Sequence, residues 1–152
     1  MNSKRIGVIV AIGLILGYFF GLRPALRKSN CEKAFAFAKE NSMPLLDVSA
    51  VMIDMMKGVD LSKETQELLP AFVKARFDIQ RAFNGEENLL SDIERNIFQI
   101  QKVGELFLQN PENFKVRAEI KKATIPFEEI KKLWSNAVTK VPSNWGLSQC
   151  TK

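Results

Sequence analysis

The apolar positions along the chain fall into blocks of two kinds. Residues 6–22 form one unbroken, uncharged apolar run. At helical rise its 17 residues cover roughly 25 Å, the short end of what spans a bilayer core. The remaining blocks place apolar residues at mixed spacings of three and four, the pattern of amphipathic helices sharing one core. The first such helix is expected over 29–57, with Phe35, Phe37, Leu45, Leu46, Val48, Val51, Met52 and Met55 as its apolar set. Pro44 should kink or split it, and Gly58 should stop it. Ser62 caps a second helix over 63–83, carrying Leu68, Leu69, Phe72, Ala75, Phe77, Ile79 and Phe83, with Pro70 inside and Asn84-Gly85 closing it.

Ser91-Asp92-Ile93-Glu94 has the form of a capping box and predicts a third helix bearing Ile93, Ile97, Phe98, Ile100, Val103, Leu106 and Phe107. Asn110-Pro111 ends it. The fourth is expected over 111–141, with Phe114, Ile120, Phe127, Ile130, Leu133, Trp134, Ala137 and Val138. Pro126 breaks its middle or starts its second half, and Pro142-Ser143-Asn144 stops it. No alternating β-branched run predicts a strand. Phe35, Phe72, Phe77, Phe83, Phe98, Phe107, Phe114 and Phe127, spread over all four helices, read as a packed core. The expected fold is therefore all-α: an N-terminal transmembrane helix followed by an antiparallel four-helix bundle with long helices. Its parts are a head at 1–5, an anchor at 6–22, the bundle at 23–147 and a tail at 148–152.

Three features refine the apolar run. Leu22-Arg23-Pro24-Ala25 offers no small-x-small cleavage site, and Asn30 precedes Cys31 where a lipoprotein would need a small residue, so an uncleaved anchor is expected. Gly13, Gly17 and Gly21 repeat every four residues on one helix face, a spacing that lets transmembrane backbones approach closely. Tyr18, Phe19 and Phe20 stand near the exit, as an aromatic interface belt would.

The net charge of +5 changes meaning once it is located. Lys4, Arg5, Arg23, Arg27 and Lys28 flank the apolar run, and no acid precedes Glu32. From Ser29 onward 17 basic residues face 17 acidic ones. The excess belongs to the membrane flanks, where anionic lipid headgroups attract it. The domain lacks the basic footprint of a nucleic-acid binder, so no nucleic-acid partner is expected. Basic residues stand on both sides of the run, so the positive-inside rule alone does not orient it. Cys31 and Cys150 bear on this. Paired in an exported domain, they would close a loop worth about 5 kcal/mol in the chain-entropy model; unpaired, they are two thiols in a reduced compartment. Four antiparallel helices return the chain to its starting end, which makes pairing geometrically reasonable and favours a domain outside the inner membrane.

The chain contains no histidine, which removes the commonest general base and the usual zinc and haem ligands. Among the carboxylates, Glu64 with Glu67, Glu86-Glu87 and Glu128-Glu129 read as solvated helix faces, with a hard-cation site as the alternative. Asp54 and Asp78 interrupt apolar stretches, as buried acids or as polar edges. Trp145 either sits at the membrane interface or caps the core. No catalytic residue, metal or cofactor is expected.

From Glu32 onward the pattern resembles the LemA family of bacterial membrane proteins. Glu32-Lys33-Ala34-Phe35 is similar to that family's Glu-x-Ala-Trp element. Asp47-Val48, Met52-Ile53-Asp54 and Met55-Met56-Lys57-Gly58 resemble its acidic stretch and Lys-Gly stop. Lys74-Ala75-Arg76, Trp134-Ser135-Asn136-Ala137-Val138 and Val141-Pro142-Ser143-Asn144 resemble its later motifs. The family's basic pair and Ile-Pro-Asn-Leu stretch are missing, replaced by Pro44-Leu45-Leu46 and Ser49-Ala50-Val51, and the two cysteines are foreign to it. The resemblance implies a non-enzymatic, single-pass membrane protein. The expected function is a membrane-anchored scaffold or interaction protein, bound to the bilayer and to protein partners or to itself. The alternative is an exported accessory subunit of a larger membrane or envelope complex.

Overall fold

The structure, a computed structural model, describes residues 14, 15, 17–57, 59–114, 126–143, 145–147 and 150. A π-helical turn, Tyr18–Leu22, leads directly into α1, Arg23–Met56. Then come α2, Lys63–Phe83, a 3-10 turn at Glu87–Asp92, α3, Ile93–Leu108, a second 3-10 turn at Pro111–Phe114, and α4, Phe127–Lys140. The described residues are thus all-α, with no strand among them.

The first helix begins well before the expected Ser29. Pro24 does not break the helix between the apolar run and Ser29: it directly follows the π-helical turn, in which Arg23 N donates to Tyr18 O, the kind of local adjustment by which a continuous helix accommodates a proline. Pro44 neither stops nor splits α1. Leu45, Leu46, Val48 and Met52 are buried on one side of it, and tertiary burial outweighs the lost hydrogen bond. Ser42 Oγ donates to Ala38 O and Ser49 Oγ to Leu46 O, so both buried hydroxyls are satisfied by their own helix. Pro70 likewise leaves α2 intact.

The caps of α2 match their sequence signals. Thr65 N donates to Ser62 Oγ at 3.3 Å. At the other end Gly85 takes φ 105°, Gly85 N donates to Ala82 O and Glu86 N to Arg81 O, the paired bonds of a Schellman closure. The Glu86 carboxylate bonds Arg81, which raises that guanidinium above its ordinary pKa.

Two expectations fail here. Ser91 opens no capping box: the chain enters α3 from the 3-10 turn, Ile93 N bonds Leu90 O, and Asp92 at the cap position pairs with Arg95 at 3.1 Å. The turn already supplies carbonyls to the helix start, so no side-chain cap is needed. The fourth helix does not run unbroken over 111–141, and its start after Pro126 is one of the two outcomes expected of that proline. Pro111–Phe114 is a 3-10 turn and α4 starts after Pro126. Residues 115–125 lie outside the described residues, with the expected core position Ile120 among them, as does Gly58.

Consecutive helices run antiparallel. Lys39 Nζ donates to Phe83 O and Arg76 Nε to Leu46 O, so the end of α2 lies beside the first half of α1. Phe72 meets Phe107 edge-on at 5.2 Å, and Thr65 bonds Asn113, which brings the end of α3 back to the start of α2. The core between them contains Leu45, Leu46, Met52, Phe72, Ile79, Ile97, Ile100, Phe107 and Ile130. Phe77 and Phe98 do not join it. They are 52% and 67% exposed, on the outward faces of α2 and α3. Phe37 is also exposed.

α4 packs chiefly against α1, and one tight contact joins it to α3. Trp134 is buried, and its indole occupies the space left by Gly104 of α3; a methyl group built on Gly104 would overlap the ring. Gly104→Ala is expected to cost about 1–3 kcal/mol by overpacking, partly offset by about 1 kcal/mol of helix propensity. Thermal unfolding followed by circular dichroism should show a midpoint several degrees lower. Combining it with Trp134→Phe should recover part of the loss relative to the two single changes added together. A strictly additive double variant would show that the two residues are not packed on each other.

Candidate functional site

The helices differ in length, and that difference makes the site. At 1.5 Å per residue, α1 is about 51 Å long, while α2, α3 and α4 reach only about 31, 24 and 21 Å. The N-terminal part of α1 therefore extends past its partners. Every described residue from 14 to 28 is exposed. Leu14 is 71% and Phe20 80% exposed, with Ile15, Tyr18, Phe19, Leu22 and Leu26 also bare.

The C-terminal segment closes on the base of this overhang. Trp145 is half-buried against the core, the second of the two placements open in the sequence. Gly146 adopts φ 67°, a left-handed turn that brings the chain down beside Ala34. Leu147 is buried, and Cys150 N donates to Leu147 O at 2.8 Å. Cys31 and Cys150, 119 residues apart, come together at disulfide distance with their Cα atoms 5.4 Å apart.

Between the overhang and this strap lies an open groove of about 630 Å³. Tyr18, Phe19, Arg23, Pro24, Leu26, Arg27, Asn30 and Cys31 line it from one helix, and Gly146 and Cys150 from the other side. The Arg23 guanidinium stands over the Phe19 ring at 5.5 Å from its centroid, and Tyr18 meets Phe19 edge-on at 5.6 Å. Among the described lining residues the charged ones, Arg23 and Arg27, are both positive.

The residues singled out in the sequence fall as follows. Lys4, Arg5 and Gly13 lie outside the described residues. Gly17 and Gly21 are exposed, and a Cβ built on either meets nothing within 4 Å. Arg23 and Arg27 line the groove, while Lys28 is exposed and stands outside it. Of the anchor at 6–22, only 14, 15 and 17–22 are described, and among the described residues no helix is long and apolar enough to cross a membrane. Among the described residues no group of three or more Cys, Asp and Glu is placed to hold a metal ion. Asp78 is buried and pairs with Lys74 and Arg81, so it serves structure; Asp54 is an exposed partner of Lys57. Glu128 pairs with Lys131, and Glu64 borders a small pocket of about 180 Å³ near the start of α2. The groove itself was not anticipated, although Phe19, Arg23, Arg27 and Asn30 recur at spacings of four, four and three on one helix face.

Compared with known proteins, the chain matches no family model, no curated protein and no solved structure. The likeness to the LemA family therefore rests on the motifs quoted from the sequence.

The strap reaches α1 where Cys31 and Cys150 meet at disulfide distance. Reduction, or Cys150→Ser, is expected to lower stability by about 2–5 kcal/mol, the usual cost of removing a disulfide that closes a long loop. Thermal unfolding of the full chain with and without dithiothreitol reads this directly. The serine variant should no longer respond to reductant. An equal midpoint in both conditions for the unaltered chain would show that the thiols are unpaired.

Proposed function

We propose that the chain is a single-pass, membrane-anchored helical bundle that acts as a scaffold or interaction module, without catalytic activity, at the bacterial inner membrane. The observation that carries this reading is the overhang. An apolar helical segment, bare on every side, continues without a break into the helix that forms one wall of the core. A helix that is apolar all round needs an apolar environment, and a bilayer supplies one. Residues 6–22 then form the transmembrane helix that precedes the antiparallel bundle, and the flanks Lys4, Arg5, Arg23, Arg27 and Lys28 lie at the headgroups.

The glycine face at Gly13, Gly17 and Gly21 supports contact between anchors. Gly17 and Gly21 present open backbone, the condition for close approach of a second helix. The LemA resemblance fits the same architecture. A second reading, an exported accessory subunit of a larger membrane or envelope complex, is favoured by the cysteine pair, because such pairs persist in oxidising compartments.

Fractionation of cells expressing the full chain tests the anchor. The protein is expected in the membrane fraction after a carbonate wash, and a chain lacking 1–22 in the soluble fraction. Recovery of the full chain in the soluble fraction would remove the reading. Crosslinking in membranes separates its two forms. Gly13→Ile, Gly17→Ile and Gly21→Ile together should abolish a self-crosslinked dimer if the anchors pair. Mass spectrometry of gently extracted material should return other membrane proteins if the chain is an accessory subunit.

A further inference from the structure

We infer that the outer face of α1 and α2 is a contact surface for a second copy of this chain, paired about a two-fold axis parallel to the helices. The inference rests on the reading of the chain as an interaction module and names its face and its partner. Three observations carry it. First, the face is apolar at its centre. Met43 is 38% exposed, and Phe77 is more than half bare. Met43 stands one turn on from Lys39, whose Nζ donates to Phe83 O of α2. The Arg76 side chain donates to Leu46 O of α1 and stands over the Phe77 ring at 5.7 Å from its centroid. Met43 and Phe77 therefore flank the outside of one seam, with Val73, one turn from Phe77, half-buried beside it.

Second, charge flanks this centre in opposite senses on the two helices. On α1 the exposed Glu40, Met43 and Asp47 follow at spacings of three and four. On α2 the exposed Lys74, Phe77 and Arg81 repeat those spacings, with bases where α1 has acids. The Glu40 and Asp47 carboxylates have no ion-pair partner among the described residues. Lys74 and Arg81 already pair with Asp78 and Glu86, but an ammonium has three donors and a guanidinium five, and both side chains stay largely exposed. Arg76 beside them bonds neutral groups, Leu46 O and Gln80 Oε1, so its charge adds to the basic side. Third, the registers agree. Within the chain Lys39 is level with Phe83 and Leu46 with Arg76. A two-fold axis parallel to the helices preserves every height, so α1 of one copy meets α2 of the other in that same register. Glu40 then comes level with the partner's Arg81, Met43 with the partner's Phe77 and Asp47 with the partner's Lys74, each within about one residue, or ~1.5 Å. Each contact is made twice, giving an apolar centre with a charged rim. The same axis leaves both overhangs pointing one way, so both anchors enter one membrane.

The full chain in neutral detergent micelles is followed by analytical sedimentation over a concentration series. A reversible dimer is expected. Glu40→Lys with Asp47→Lys should weaken it at least about tenfold, because each reversal acts twice in a symmetric pair. Phe77→Ser should weaken it to a similar degree by removing the apolar centre. Glu94→Lys with Glu105→Lys makes the same change of charge on the exposed face of α3 and should leave the dimer within about twofold. All the altered positions are exposed, so circular dichroism should show each variant folded. A mixture of Met43→Cys chains and Phe77→Cys chains, treated with a short bismaleimide, should give a covalent dimer. A dimer that resists both the α1 and the α2 variants, or that falls equally with the α3 variant, would overturn the face. So would a dimer lost only with Gly13→Ile, Gly17→Ile and Gly21→Ile, which would assign the contact to the anchors and leave self-association standing. A chain that stays monomeric throughout would overturn the second copy as partner. Recovery of other membrane proteins with it would still support the interaction-module reading.

Discussion

The helical backbone that runs from Tyr18 through Met56 is the constraint on which the rest of the molecule depends. It contains two prolines, and each is tolerated for its own reason. Pro24 directly follows the π-helical turn, whose wider hydrogen-bond pattern accommodates it. Pro44 sits beside a run of residues whose burial holds the helix together from outside. Because the helix does not break, the apolar segment is joined to the core through one continuous helix.

That continuity also decides where the ends meet. Four helices that alternate in direction return the C-terminal segment to the first half of α1, and the shorter partners leave the overhang uncovered above it. The strap makes use of this. Gly146 turns the chain, Leu147 inserts into the core, and Cys150 reaches Cys31. The pair lies at the boundary between the covered and bare parts of α1.

Much of this was legible in the sequence, and the failures share a cause. Helix number, the Ser62 cap and the Asn84-Gly85 closure depend on local chemistry, and local chemistry is written in adjacent residues. Phe77 and Phe98 were counted as core because they are large and apolar. The buried set of α2, Phe72, Ala75, Ile79, Ala82 and Phe83, forms one stripe. At about 100° per residue Phe77 falls nearly opposite it, as Phe98 does on α3. Composition found the residues; only the phase of the period places them. The Ser91 capping box failed because a preceding 3-10 turn had already met the need for acceptors. The groove was missed because its walls come from residues more than a hundred positions apart in sequence.

The basic residues around the apolar run bear on membrane orientation only weakly. Arg23, Arg27 and Lys28 on one side oppose Lys4 and Arg5 on the other, and so small a difference does not orient the run under the positive-inside rule. The cysteines carry more weight. Cys31 and Cys150 meet at disulfide distance at the base of the overhang, and such pairs persist in oxidising compartments. In the proposed anchored reading, a joined pair therefore favours the head inside and the bundle outside, so the orientation of the anchor depends on a contact made at the far end of the chain.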